Sequence, residues 1–206
     1  MPFVRRIALA LAVAAFAVNP SVAQTWPNKP IRLIAVFPPG GSVDQVARIL
    51  AQPLSKQLGQ SVVVENIGGA SGSIGTNAVA KAAPDGYTFG VVFDTHGTNA
   101  SLIPNIAYDT LKDLEYVTLI GTSPMALVAS AKSPYSKMAD VTTEARTIKG
   151  ITIGSIGTGS LGHLAMIQAG QQAGWTWTHV PFRGGGPLMN DTVAGQVPII
   201  FDNLPS

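Results

Sequence analysis

The sequence predicts an α/β protein built on mostly parallel sheets, and three observations carry that prediction. Short β-rich apolar runs alternate with segments whose apolar residues recur every three or four positions, the pattern of βαβ units. Several of these runs end in a loop of Gly, Ser and Thr that opens the next helix. Finally, 46% of the 206 residues are hydrophobic and 12% charged, with a net charge of +2. That is too apolar and too nearly neutral for a disordered chain.

In order along the chain, residues 31–37 read as a buried strand ending at Pro38-Pro39-Gly40-Gly41. In the helix that follows, Val43, Val46, Ala47, Leu50, Leu54 and Leu58 form one apolar stripe. Pro53 lies inside it and is expected to kink or split it, and Gly59 is expected to end it. Residues 62–65 form the next strand, 67–75 a Gly/Ser loop, and a short Ala-rich helix runs on to Ala83. Pro84-Asp85-Gly86 makes a turn, because Pro presets φ and Gly accepts positive φ. Residues 87–93 are a third strand. After an irregular stretch, strands at 117–120 and 125–130 flank Thr122-Ser123-Pro124, where the chain is expected to cross into a second lobe. There, 151–155 is a strand, Gly157-Thr158-Gly159-Ser160 a loop and 161–173 a helix. Residues 176–181 are a strand, Arg183-Gly184-Gly185-Gly186 a turn, and Pro187 suits a helix start. Residues 197–201 close the pattern.

The N-terminus differs from the rest. Arg5 and Arg6 precede an unbroken apolar run at 7–18, Asn19-Pro20 breaks it, and Ser21-Val22-Ala23 supplies small residues before a cut. Residues 1–23 are therefore expected to be a cleavable signal peptide, the run being short of the ~20 residues that span a membrane. The mature chain is expected to be exported. With no Cys it has no disulfide and no lipidated cysteine, so its stability rests on the core.

Several chemistries lack their residues. No Lys/Arg run or basic stripe interleaved with aromatics supports nucleic-acid binding. His96, His163 and His179 have no H-x-x-x-H spacing and no Cys beside them, so no metal site is expected. His163 reads as a packed or surface residue. No Ser stands in G-x-S-x-G. No catalytic residue and no cofactor is assigned. Gly157, Gly159 and Gly162 satisfy G-x-G-x-x-G after a strand, but residues 177–186 lack the acid that would complete a dinucleotide site. A secreted nucleotide-dependent oxidoreductase is the remote alternative.

The recurrent feature is a strand that runs into a small-residue loop and a helix start, at 39–42, 68–75 and 157–160. Such starts present unpaired N–H groups and a positive dipole end, suited to an anion. Ser42, Thr158 and Ser160 could add hydroxyls, and two lobes built this way would face one another across a cleft. Equally, the glycines could serve tight turns and Ser42 or Ser160 could cap a helix; spacing alone balances the two readings. Asp44 reads as structural in the first helical turn, and Asp94 and Asp202 are acids near loop ends. Arg48 reads as a surface or inter-element pair, and Arg183 faces either the cleft or solvent.

Longer stretches carry a resemblance. Trp26-Pro27-Asn28-Lys29-Pro30-Ile31-Arg32-Leu33-Ile34, Phe37-Pro38-Pro39-Gly40-Gly41-Ser42-Val43-Asp44 and Leu58-Gly59-Gln60-Ser61-Val62-Val63-Val64-Glu65-Asn66 open the match. Gly69-Ala70-Ser71-Gly72-Ser73-Ile74-Gly75, Ala83-Pro84-Asp85-Gly86-Tyr87-Thr88, His179-Val180-Pro181-Phe182-Arg183-Gly184 and Phe201-Asp202-Asn203-Leu204-Pro205-Ser206 continue it, with Gly157 to Ser160. Together they resemble the Bug-type receptors, the periplasmic solute-binding proteins of tripartite tricarboxylate transporters. The resemblance implies a two-lobed, type II-like periplasmic-binding-protein fold, with residues 24–123 as the first lobe and 124–206 as an incomplete second. It implies a monomer that binds a small organic carboxylate, without catalysis, and delivers it to membrane permease subunits. Carried over, the ligand contacts are Gly40, Gly41, Ser42, Ala70 and Thr95 in the first lobe, and Thr158, Gly159, Ser160 and Asp202 in the second. Three departures stand out: Arg183 replaces the family's usual Lys, the 137–150 helix looks shortened and Thr-rich, and family members continue beyond Phe201-Asp202-Asn203-Leu204-Pro205. A truncated, binding-defective homologue is the alternative expectation.

Overall fold

Two sheets organise the protein, a computed structural model of which describes residues 25–203. The signal-peptide expectation and Leu204-Pro205-Ser206 lie outside the described residues. In the first sheet β1 (Ile31–Ala35) runs between β2 (Val62–Asn66) and β3 (Thr88–Val91), all parallel. A central parallel strand is covered on both faces, and β1 is buried at every position but Arg32. Helix α1 (Ser42–Leu58) packs on β1 and β2 through Val43, Val46 and Ala47.

Pro53 does not split α1. Its ring faces solvent, and Ile49, whose carbonyl loses a donor there, is 70% exposed; water can satisfy what the proline cannot. Gly59 ends the helix with φ +65°, as its position predicts. The Gly/Ser loop contains a short 3-10 turn (Ala70–Gly72) before α2 (Ser73–Ala80). Gly75 is required where α2 lies directly on the strand, since a Cβ there would overlap Ile67 O.

Helix α3 (Thr95–Leu102) replaces the predicted irregular stretch. Its sequence carries no apolar stripe; the helix depends on the Asp94 cap and on Asn99, whose amide donates to Ser71 O at 3.0 Å. The strand predicted at 117–120 is absent. Val117 and Leu119 have the right propensity but are 75% and 79% exposed, with no strand paired alongside them, and an unpaired strand is not stable.

The second sheet has the order β4-β7-β5-β6. β5 (Ile151–Ser155), β6 (Trp177–Pro181) and β7 (Ile199–Asn203) are parallel, and β4 (Met125–Ala129) is antiparallel to β7. Helix α4 (Met138–Ala145) is short, its first turn held by Asp140, which accepts from the Ser136 and Lys137 amides. Helix α5 (Leu161–Ala173) follows β5, and α6 (Gly185–Ala194) follows β6 with Pro187 in its first turn. One face of this sheet buries Ile151, Ile153, Met166 and Ile199; the other buries Ile156, Leu188, Val197 and Ile200. Phe93 packs against both this second face and the first lobe's core, joining the two. The α/β class with two parallel-dominated lobes is therefore as the sequence predicts.

Candidate functional site

The carboxyl ends of β1, β3, β5 and β6 each lead into a helix, so the loops after Ala35, Val91, Ser155 and Pro181 gather where ligands bind in open α/β sheets. The two lobes meet along these loops in two clusters.

In the first cluster, the start of α1 faces the second lobe's β7 and α6. A Cβ on Gly41 would sit 3.4 Å from the Gly186 amide nitrogen and 3.5 Å from that of Gly185. Backbone thus approaches backbone, which is why both sides are glycine. Asn203 Nδ2 donates to Ser42 Oγ at 2.5 Å. Asp202 lies beside them, with Oδ2 3.4 Å from where a Gly185 Cβ would be. Phe37, Val43, Phe93 and Ile156 complete a narrow, largely apolar gap. Gly40 is exposed and donates its amide to Asp44 Oδ2 at 3.0 Å.

In the second cluster the start of α5 meets the first lobe's α3 and the Ala70–Gly72 turn. Ser71 Oγ donates to Thr158 O at 2.9 Å, Thr98 Oγ1 to Gly159 O at 2.8 Å, and the Leu161 amide to Asp94 Oδ2 at 2.5 Å. Ala70 and Ser71 hold the turn with φ of +46° and +53°, uncommon for residues with a Cβ.

The predicted site residues therefore divide. Gly41, Ser42, Thr158, Gly159 and Asp202 lie where the lobes meet. Thr158 and Ala70 are exposed. Thr95 is 1% exposed, with its amide bound to Asp94 Oδ1 and its carbonyl accepting from Thr98. Ser160 is wholly buried, its hydroxyl spent on the His163 amide as a helix cap. The expectation of unpaired amides at the α5 start also needs correcting. Gly159 N–H donates to His163 Nδ1 at 3.1 Å, Ser160 N–H to Gly157 O, and Leu161 N–H to Asp94. Three groups that bridge the lobes escaped the sequence reading: Ser71, Thr98 and Asn203. Asn203 directly follows the predicted Asp202, but Ser71 and Thr98 show no signal until the lobes are docked.

The glycine fingerprint has a packing explanation. A Cβ on Gly162 would overlap Phe201 O, so α5 can cross β7 closely only with glycine there. His163, stacked on His179 with ring centroids 4.0 Å apart, supports the loop from behind. His179 Nε2 is 2.7 Å from Ser155 Oγ, which in turn donates to Gly157 O. Burial lowers the pKa of both imidazoles, that of His179 to about 4, where the neighbouring His163 adds to the effect.

Asp202 and Asp94 are carboxyls at the lobe boundary. Burial pushes the Asp202 carboxyl up to about 6, partly offset by the Asn203 amide and reinforced by the charge of Asp94. Burial likewise raises Asp94, against the amides of Leu161 and Thr95 that favour its ionised form. Asp44 goes the other way: burial opposes ionisation, but the bonds from Arg48, Gly40 and Asn66 outweigh it and lower its pKa.

Two α/β lobes that meet through opposed helix starts define a periplasmic-binding-protein-like fold. The chain belongs to the tripartite tricarboxylate transporter family of receptors, whose sequence pattern matches residues 46–206. It is 36% identical over 190 residues to protein BugT of Bordetella pertussis, covering 91% of this chain and 58% of BugT. In structure it is similar to R. palustris Rpa4515 with adipate, at TM-score 0.83 and 35% identity, over 87% of this chain and 61% of that one. It is also similar to MatC from Rhodopseudomonas palustris with bound malate, at TM-score 0.76 and 30% identity, over 86% and 61%. The chain thus spans about three fifths of the length of the proteins it matches.

Proposed function

We propose that this chain is the ligand-capturing part of a periplasmic receptor that takes up a small organic carboxylate and hands it to membrane permease subunits, performing no chemistry on it. The lobes are taken as residues 24–123 and 124–206, acting as a monomer, with residues 1–23 as an export signal. The observation that carries this reading is the gathering of glycine-bearing helix starts along the lobe boundary: α1 at Gly41-Ser42 faces Gly185 and Gly186 of α6, and α5 at Thr158-Gly159-Ser160 faces α3 and the Ala70–Gly72 turn. Peptide N–H groups at helix starts stabilise carboxylates without a cationic side chain. Similar receptors hold adipate and malate, so short dicarboxylates are the first guests to test. Of the residues expected to touch the guest, Gly40, Gly41, Ser42, Ala70, Thr158, Gly159 and Asp202 remain candidates for direct contact. Thr95 and Ser160 act by shaping the backbone around it.

Isothermal titration of the purified chain with adipate, malate and citrate is the direct test. Saturable one-to-one heat with at least one of them, absent for the corresponding amide, is expected. A cooperatively folded protein that gives no heat with any of the three would sink the proposal.

A further inference from the structure

We infer that Asp94 is an internal occupant of the second-lobe anion site, a carboxylate that latches the empty cleft shut and that the guest's carboxylate must displace. The inference rests on the reading above, in which the α5 start receives the guest.

Asp94 belongs to the first lobe, between β3 and α3. Its Oδ1 accepts from the Thr95 amide at 2.8 Å, and its Oδ2 reaches across the gap to the Leu161 amide at 2.5 Å. Leu161 is the first residue of α5, where the helix dipole and an otherwise unpaired N–H favour a negative charge. Neighbouring amides are satisfied within the second lobe, Gly159 by His163, Ser160 by Gly157 O and His163 by Ser160 Oγ. The Leu161 amide is the one whose partner comes from the other lobe. The remaining bridges here, Ser71 to Thr158 and Thr98 to Gly159, are neutral hydroxyl-to-carbonyl bonds. Asp94 supplies the charge-assisted one, the stronger type.

A guest carboxylate would make the same bond to the same amide. It cannot do so beside Asp94, because that amide carries a single hydrogen, which Asp94 Oδ2 already holds. Exchange of one carboxylate for the other follows. The latch stabilises only the empty closed protein, so it lowers apparent affinity, and removing it favours the guest-bound state.

The test uses the full chain with Asp94→Asn and Asp94→Ser. Both side chains can still cap α3, but neither places an anion on the Leu161 amide. A cooperative melt for each variant establishes that it folds, and the second serves if the first does not. Small-angle scattering of the empty proteins should show the variants more expanded than wild type. Titration with adipate and malate should show them binding about tenfold more tightly, the equivalent of losing one charge-assisted competitor. Wild type that binds while the variants bind no tighter, or variants that stay as compact as wild type when empty, would overturn the latch alone. Failure of all three proteins to bind either acid would overturn the exchange together with the functional reading beneath it.

Discussion

Asn203, at the end of β7, donates its amide to the hydroxyl of Ser42, at the start of α1. This bond ties the edge of the second lobe's sheet to the helix start of the first. It closes a loop of nearly the whole described chain, and it lies among glycines that let the two backbones touch.

If that tie is specific, Ser42→Ala and Asn203→Ala should not be additive. A double-mutant cycle by urea unfolding should return a coupling of about 1 kcal/mol, the usual net value of a hydrogen bond at a partly buried site. Strictly additive losses would mean that each side chain acts alone.

The approach of α5 to α3 predicts a severe effect at Gly159. With φ +82° and the position of a Cβ overlapping Leu102 Cδ1, Gly159→Val is both strained and obstructed. Carboxylate binding should be lost in calorimetry while far-UV circular dichroism stays near wild type. Gly41→Val should do the same by wedging the lobes apart, since its Cβ already meets the Gly185 and Gly186 amides. Unchanged affinity in both would remove these loops from the site.

Asp202 gives a pH dependence of definite sign. Its folded-state pKa, about 6, lies above the ordinary value of 3.8, so the folded protein holds the proton more tightly than the unfolded chain. Its contribution is fully favourable below about pH 4 and is lost as pH rises through 6, by at most ~3 kcal/mol. Asp202→Asn should therefore gain stability over wild type at pH 7.5 and show little gain at pH 4. Urea midpoints at the two pH values measure this, and an equal difference at both would refute it.

Asp44 should behave in the opposite sense. It is buried and accepts from Gly40, Arg48 and Asn66. Its lowered pKa means that stability is present above 3.8 and lost as pH falls through the folded value. Asp44→Ala should cost roughly 2–3 kcal/mol at pH 7, and the deficit should narrow in acid. Thermal melts from pH 7 to 2.5 read both effects.

Most of the strands and the longer helices were legible, because burial imposes periodicity. The α1 stripe from Val43 to Leu58 follows from apolar spacing and its end from Gly59, and the span of α5 follows the strand-loop-helix order after Gly157-Thr158-Gly159-Ser160. Helix α3 was not legible, because its polar Thr95–Leu102 sequence is helical through the Asp94 cap and the bond from Asn99 to Ser71. At 117–120 the strand propensity misleads, because propensity does not supply a partner strand.

Within the site, the glycine-rich helix starts could be found from composition, while the use of their amides could not. Ser160, open in the sequence between donor and helix cap, caps α5 through the His163 amide, and Thr95, implied by the resemblance as a contact, is buried; caps and ligand contacts draw on the same residue types.

The local order of strand, loop and helix, and with it the α/β class and the two sites of helix-start chemistry, was determined by the sequence itself, through burial period and glycine placement. Which amides face the other lobe, and that Asp94 already holds one of them, was decided only when the lobes came together. Residues 94 and 161 are far apart in the chain, and no local pattern encodes a hydrogen bond made by docking.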